Sequence, residues 1–208
     1  MKKILFALLI FVTVTLHAQS QFGIKGGYNL SSMKWEVKGF DDYKFASQSY
    51  FYVGALAERK LSEKVSLQGE LLYTELGGKD TETLTTIVGN EVVEIGTNTT
   101  KIATSQLQIP ISAKYHLIPQ FSLSAGLNFG FNIYSRVKNT FVSDQTPNDK
   151  TNLFKTVNIF PFLGTEYKID NHFFADARYH FNFFNAAIQD APPTKISFLQ
   201  VGLGYRFK

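Results

Sequence analysis

The 208-residue sequence predicts an all-β fold, an eight-stranded antiparallel up-and-down transmembrane β-barrel behind a cleaved signal peptide. Three observations carry that reading. Apolar and polar residues alternate with period 2 in eight segments after residue 21, the spacing of a strand whose two faces meet different surroundings. The connections between these segments are alternately short and long, as in barrels that cross a membrane with short turns on one side and long loops on the other. The chain also opens with a basic and then apolar leader.

In the leader, Lys2 and Lys3 precede an apolar stretch, Ile4 to Val14, interrupted only by Thr13 and followed by Thr15-Leu16-His17-Ala18. Eleven residues at ~1.5 Å each would cover about half of a ~30 Å hydrocarbon core, so the segment is read as a signal peptide rather than an anchor. A cut after Ala18 divides the chain into residues 1–18 and a barrel domain of residues 19–208. No later segment reaches 18 uninterrupted apolar residues, so any membrane crossing must be made by strands.

The first strand alternates Phe22, Ile24, Tyr28 and Leu30 with Lys25 and Asn29. The second, about Tyr50 to Leu61, sets Phe51, Val53, Ala55 and Ala57 against Tyr52, Gly54, Leu56 and Glu58, and the third opposes Val65, Leu67, Leu71 and Tyr73 to Ser66, Gln68 and Glu70. In the fourth, Leu107 to Leu117 faces away from Gln106 to His116, with Pro110 removing one ladder bond. Strand five, Phe121 to Tyr134, is the cleanest alternation. Strand six spans Asn158 to Lys168, strand seven Phe173 to Asn182 and strand eight Phe198 to Phe207. The short turns fall at Ser62–Lys64, Ile118–Gln120 and Ile169–His172, and the long loops at Ser32–Ser49, Glu75–Lys101, Ser135–Lys155 and Phe183–Lys195. Both chain ends then lie on the short-turn side, which in this plan is periplasmic.

Alternation does not say which face is outside, because a soluble barrel shows the same period with its apolar face inward. Aromatics break the symmetry. Phe22, Tyr115, Phe121, Tyr167, Phe173, Tyr205 and Phe207 cluster at the short-turn ends of the apolar face, with Tyr28, Phe51, Tyr73, Phe131 and Phe181 near the long loops, as two interfacial girdles would. The polar face carries Gly, Ser, Asn and charges of both signs: Lys25, Glu58, Glu70, Lys114, Glu166, Lys168, Asp176, Arg178 and Arg206. Four acids against five bases predict a paired network plugging a lumen that eight strands leave barely wide enough for side chains. A selective pore would show one sign at a constriction.

Composition narrows the function. The absence of Cys removes disulfides, thiolate zinc sites and thiol nucleophiles. With 21 basic and 17 acidic residues, and two of the bases in the leader, the remaining excess is too small to suggest nucleic-acid binding. After the leader only His116, His172 and His180 remain, and no serine partner for His180 is visible on its strand. No phosphate loop or metal-spaced His/Asp cluster is present, so neither cofactor nor metal is expected. In the longest loop, Gly89-Asn90 separates the β-prone runs Thr83 to Val88 and Glu91 to Ile95, a hairpin signal that would extend strands three and four as a protruding ribbon. With Trp35, Phe40, Tyr43 and Phe45 of the first loop, Gly89 and Asn90 are the candidate contact residues for a protein partner.

The segments Phe22-Gly23-Ile24-Lys25-Gly26-Gly27-Tyr28-Asn29-Leu30, Glu70-Leu71-Leu72-Tyr73, Leu107-Gln108-Ile109-Pro110, Ala175-Asp176-Ala177-Arg178-Tyr179 and Gly202-Leu203-Gly204-Tyr205-Arg206-Phe207 occur in the order and spacing of a known group. On them the chain resembles the PorT-like outer-membrane β-barrel family of Gram-negative bacteria. Phe160-Pro161-Phe162 departs from the smaller, glycine-rich string expected in strand six, and Lys208 follows the terminal aromatic. The resemblance implies outer-membrane location and barrel architecture, and it carries over no catalytic residue. The expectation is a monomer in outer-membrane lipid, with a structural or surface-interaction role through its long loops. The alternatives are a small-solute channel and, further off, a lipid-modifying outer-membrane enzyme.

Overall fold

Strands in this chain can satisfy their backbone groups in lipid only by closing on one another, and they do. The computed structural model describes residues 20–36, 39–140, 149–150, 153–189 and 191–207; the leader assigned to residues 1–18 lies outside them. The elements are β1 (Ser20–Trp35), β2 (Tyr43–Lys44), β3 (Ala46–Lys60), β4 (Val65–Val88), β5 (Glu91–Ile118), β6 (Phe121–Thr140), β7 (Asp149–Lys150), β8 (Val157–Lys168), β9 (Phe173–His180) and β10 (Thr194–Arg206). Pairing runs β1, β3, β4, β5, β6, β8, β9, β10 and returns to β1, every pair antiparallel. The closing seam is long, running from Gly23↔Arg206 to Trp35↔Thr194. The two-residue strands β2 and β7 sit off the ring, on β1 and β6.

The faces are as the alternation predicts. Ile24, Tyr28, Val53, Leu71, Leu127, Leu163, Val201 and Leu203 are exposed on the outer wall, while Lys25, Asn29, Gln68, Glu70, Gln108, Lys114, Glu166, Asp176 and Arg206 are buried. The second strand keeps its phase, with Tyr52, Leu56 and Glu58 inside. Pro110 interrupts the β4–β5 ladder, whose register resumes at Leu72↔Gln108 after Gly69↔Ile111. Small residues make room in the narrow interior: a Cβ at Gly204 would collide with the Phe174 ring and one at Gly202 with the Tyr52 hydroxyl.

The short turns are fixed by their own side chains. Asp170 accepts backbone N–H bonds from His172 and Phe173, both at 2.7 Å, which hold its carboxyl below the ordinary aspartate range. Beside it, Phe173, Tyr205 and Phe207 stack edge to face at centroid distances of 5.1 and 5.7 Å, part of the short-turn girdle.

The long-loop end is more ordered than loops. β1 runs on to Trp35, β6 to Thr140, and β10 starts at Thr194 rather than Phe198, whereas β9 stops at His180. β4 and β5 continue without a break to a two-residue turn at Gly89-Asn90, where Gly89 takes φ +67°, the left-handed conformation that glycine adopts without strain. β3 leaves β4 at Ala46↔Lys79 and β6 leaves β5 at Thr99↔Thr140, so beyond those points the two strands form a free-standing ribbon among the described residues.

Candidate functional site

Two layers of side chains pack inside the ring. In the lower one, the parity of each strand delivers charged side chains to one depth. Lys114 of β5 donates to Glu58 at 2.9 Å and Glu166 at 2.8 Å, and Arg206 of β10 donates to the same two carboxylates at 2.7 and 2.8 Å. Gln68 accepts from Lys114 at 3.1 Å and donates to Glu70, linking this square to a second one. There Arg178 bonds Glu70 and, through Nε, Asp176 at 3.0 Å, while Lys25 bonds Asp176 and lies 3.5 Å from Glu70. Arg206 also stacks over Phe174 at 4.1 Å. Of the nine lumen charges predicted from sequence, eight form this network and their signs cancel. Lys168 does not join it: at the rim and half-buried, it makes no ion pair among the described residues.

The upper layer was not legible as such. Met33, Phe45, Leu76, Ile102, Phe154, Phe160, Ala186, Ile196 and Phe198, from five strands and three loops, pack into one apolar cluster under the long loops. Phe154 of the third loop and Ala187 of the fourth form a bridge across it, and Asn185 Oδ1 accepts from the Ala187 and Thr194 backbone amides at 3.0 and 2.8 Å. The prediction for Phe45 is thereby corrected. It is 7% exposed and packs edge-on against Trp35 at 4.7 Å, because β2 folds the first loop back over the barrel. Phe40 and Tyr43 remain exposed, and Trp35 is half-buried against the cluster. The missed signal was an apolar residue on the polar phase near a loop, as at Leu76, Ile102 and Phe198.

Above the plug the ribbon projects. Gly89 and Asn90 form its exposed tip, and Ile87, Val88, Val92, Val93 and Ile95 are all exposed. Residues 80–98 carry Asp80, Glu82, Glu91 and Glu94 and no Lys or Arg. At the base of the ribbon the register places Lys79 opposite Lys101, and Lys101 opposite Lys138. Like charges directly opposed repel, so Lys101→Thr should raise stability by about 0.2–1 kcal/mol in low salt. The gain should shrink in high salt as the repulsion is screened, which urea unfolding at two ionic strengths would show.

His180, whose strand offers it no serine partner, stacks on Phe198 at 4.0 Å inside the lumen. A Ser–acid–His grouping that the sequence did not reveal occurs elsewhere: Ser66 Oγ is 3.0 Å from His116 Nε2 and donates to Glu58 at 2.6 Å. Glu58 lies 3.6 Å from that same nitrogen. In a catalytic triad the acid holds the opposite ring nitrogen, so this arrangement lacks the orienting bond. Among the described residues no group of three His, Asp or Glu could hold a metal.

A closed antiparallel ring with an apolar outer wall, two aromatic girdles and a charged, filled interior defines the class: a β-barrel of the outer membrane. Residues 17–187 match the model of the family described as "Outer membrane protein beta-barrel domain", and the chain belongs to that family, in the outer membrane of Gram-negative bacteria. Among solved structures, Ail, the attachment invasion locus protein of Yersinia pestis, is similar in fold. It superposes with TM-score 0.51 at 16% identity over 91% of this chain and 99% of Ail. Neisserial surface protein A gives TM-score 0.51 at 10% identity over 89% of this chain and 97% of its own. At these identities the likeness is one of fold. No curated protein matches the sequence.

Proposed function

We propose that this protein is a monomeric barrel, plugged by side chains, that acts at its loop end as a structural or surface-interaction protein, with both chain ends periplasmic. The observation that supports the reading is the pair of side-chain layers inside the ring, a charge-neutral ion-pair layer below an apolar one, together with the exposed apolar residues of the projecting ribbon. A conduction path would have to cross both layers. Purified protein in a planar bilayer is therefore expected to give no steady channel, and a reproducible ohmic conductance would promote the small-solute channel in its place. The geometry at Ser66, His116 and Glu58 favours a structural role over an enzymatic one for those side chains. The PorT-like subgroup remains the reading of the sequence segments named above.

Ail was solved in complex with a heparin analogue, sucrose octasulfate. A polyanion suits the ribbon of the present chain poorly, since its four carboxylates are unaccompanied by a base. A neutral or basic protein surface, meeting the exposed Ile87, Val92 and Ile95, suits it better. An epitope inserted between Gly89 and Asn90 should be labelled on intact cells with the barrel still folded, whereas one at Ser62-Glu63 should be reached only after the outer membrane is opened. Deleting residues 81–98 should abolish crosslinking to a partner while preserving heat-modifiable gel mobility. Labelling at Ser62-Glu63 on intact cells would invert the topology, and crosslinking that survives the deletion would remove the ribbon from the interaction.

A further inference from the structure

The lumen charges leave one base over, and its surroundings suggest why. Lys168, the last residue of β8, lines two adjoining cavities at the short-turn mouth of the barrel. One, of about 380 Å³, is bounded by Lys60, Gln120, Lys168, Asp170, His172 and Arg206 among others. The second, of about 350 Å³, shares Lys60, Pro119 and Lys168 with it and adds Lys64, Glu63 and His116. Of the two carboxylates in these walls, that of Asp170 already accepts two backbone N–H bonds from its own turn. Arg206 is 3% exposed, and its Nε–H has no hydrogen-bond partner among the described residues, although its terminal nitrogen is fully engaged with Glu58 and Glu166.

The mouth thus gathers three lysines, Lys60, Lys64 and Lys168, against a single uncommitted carboxylate among the described residues, that of Glu63, with Arg206 at its lumen end. A concave wall in which one charge sign predominates concentrates counter-ions. We propose that the short-turn mouth is a binding site for a soluble oxyanion, a phosphate or carboxylate group on a molecule small enough for the cavity, held by Lys60 and Lys168. A soluble source fits better than a lipid headgroup because the cavity lies inside the ring of turns and reaches the lumen at Arg206. The lipid-facing aromatics Phe22, Tyr167 and Phe173 are exposed on the outer face and do not line the cavity.

Titration calorimetry on the folded protein in a zwitterionic detergent tests this, with inorganic phosphate as the probe and ionic strength held constant with chloride. Saturable binding is expected. Each lost charge-assisted bond should weaken it by about tenfold, so Lys60→Met with Lys168→Met should reduce affinity by about a hundredfold, while Lys168→Arg retains most of it. Heat-modifiable mobility of each variant confirms that it folds. A parallel titration with short-chain phosphatidic acid separates the sources. Binding of phosphate by itself supports a soluble ligand, whereas saturable binding of phosphatidic acid only would overturn that source and assign the site to a headgroup. Absence of saturable binding by either, or binding unchanged in the Lys60→Met, Lys168→Met double variant, would overturn the site itself.

Discussion

Arg178→Met is expected to lower the stability of the folded barrel by about 3–5 kcal/mol, the range for breaking a buried ion pair from one side. Arg178 is 3% exposed and serves both Glu70 and Asp176. Without it those two carboxylates share Lys25 as their one ion-pair partner among the described residues, with the Tyr52 hydroxyl 3.4 Å from Asp176 and the Phe162 ring beside the vacated guanidinium position. Methionine fills much of the same volume, so the loss measures charge rather than a cavity. Adding Glu70→Gln to Arg178→Met should recover part of the loss, because Asp176 and Lys25 then form a neutral pair. Urea unfolding in lipid vesicles would measure both. A single variant as stable as the parent would mean that water solvates the network and that its pairs contribute little.

The second large effect lies on the opposite face of the wall. Leu127, exposed on β6 and paired with Ile111 and Pro161, points into the hydrocarbon region, where arginine should cost about 2–4 kcal/mol. At Leu117, exposed close to the short turn, the same substitution should cost about 0–1 kcal/mol, since the side chain can reach the interface. The contrast between the two positions is the test. Equal costs would place the membrane boundary elsewhere, and a penalty that persists at Leu127 in buffer without lipid or detergent would contradict the lipid-facing wall. The position next to it gives no clean control: Asn128 is fully buried, so arginine there would overpack the lumen for reasons unrelated to lipid.

What the sequence determined by itself was everything that period 2 encodes. Because successive side chains must leave a strand on opposite sides, the outward placement of Leu127 and Ile111 and the inward placement of Lys114, Glu166 and Arg206 follow from parity. The alternation of short and long connections ordered the strands, and Gly89-Asn90 marked the ribbon tip. The near-neutral lumen was also legible as a sum of charges, though not as a set of partners. Which acid meets which base depends on register and on the stagger of strands around a closed ring, and both are settled only when β10 pairs with β1. That closure brings Arg206 to Glu58 and Glu166 and leaves Lys168 at the rim. Tertiary structure likewise decided the fate of the long loops. Phe45, Phe154 and Ala186 look like exposed loop residues in the chain, but the barrel mouth beneath them is lined by Leu76, Ile102 and Phe198, and folding inward over it removes that apolar surface from water.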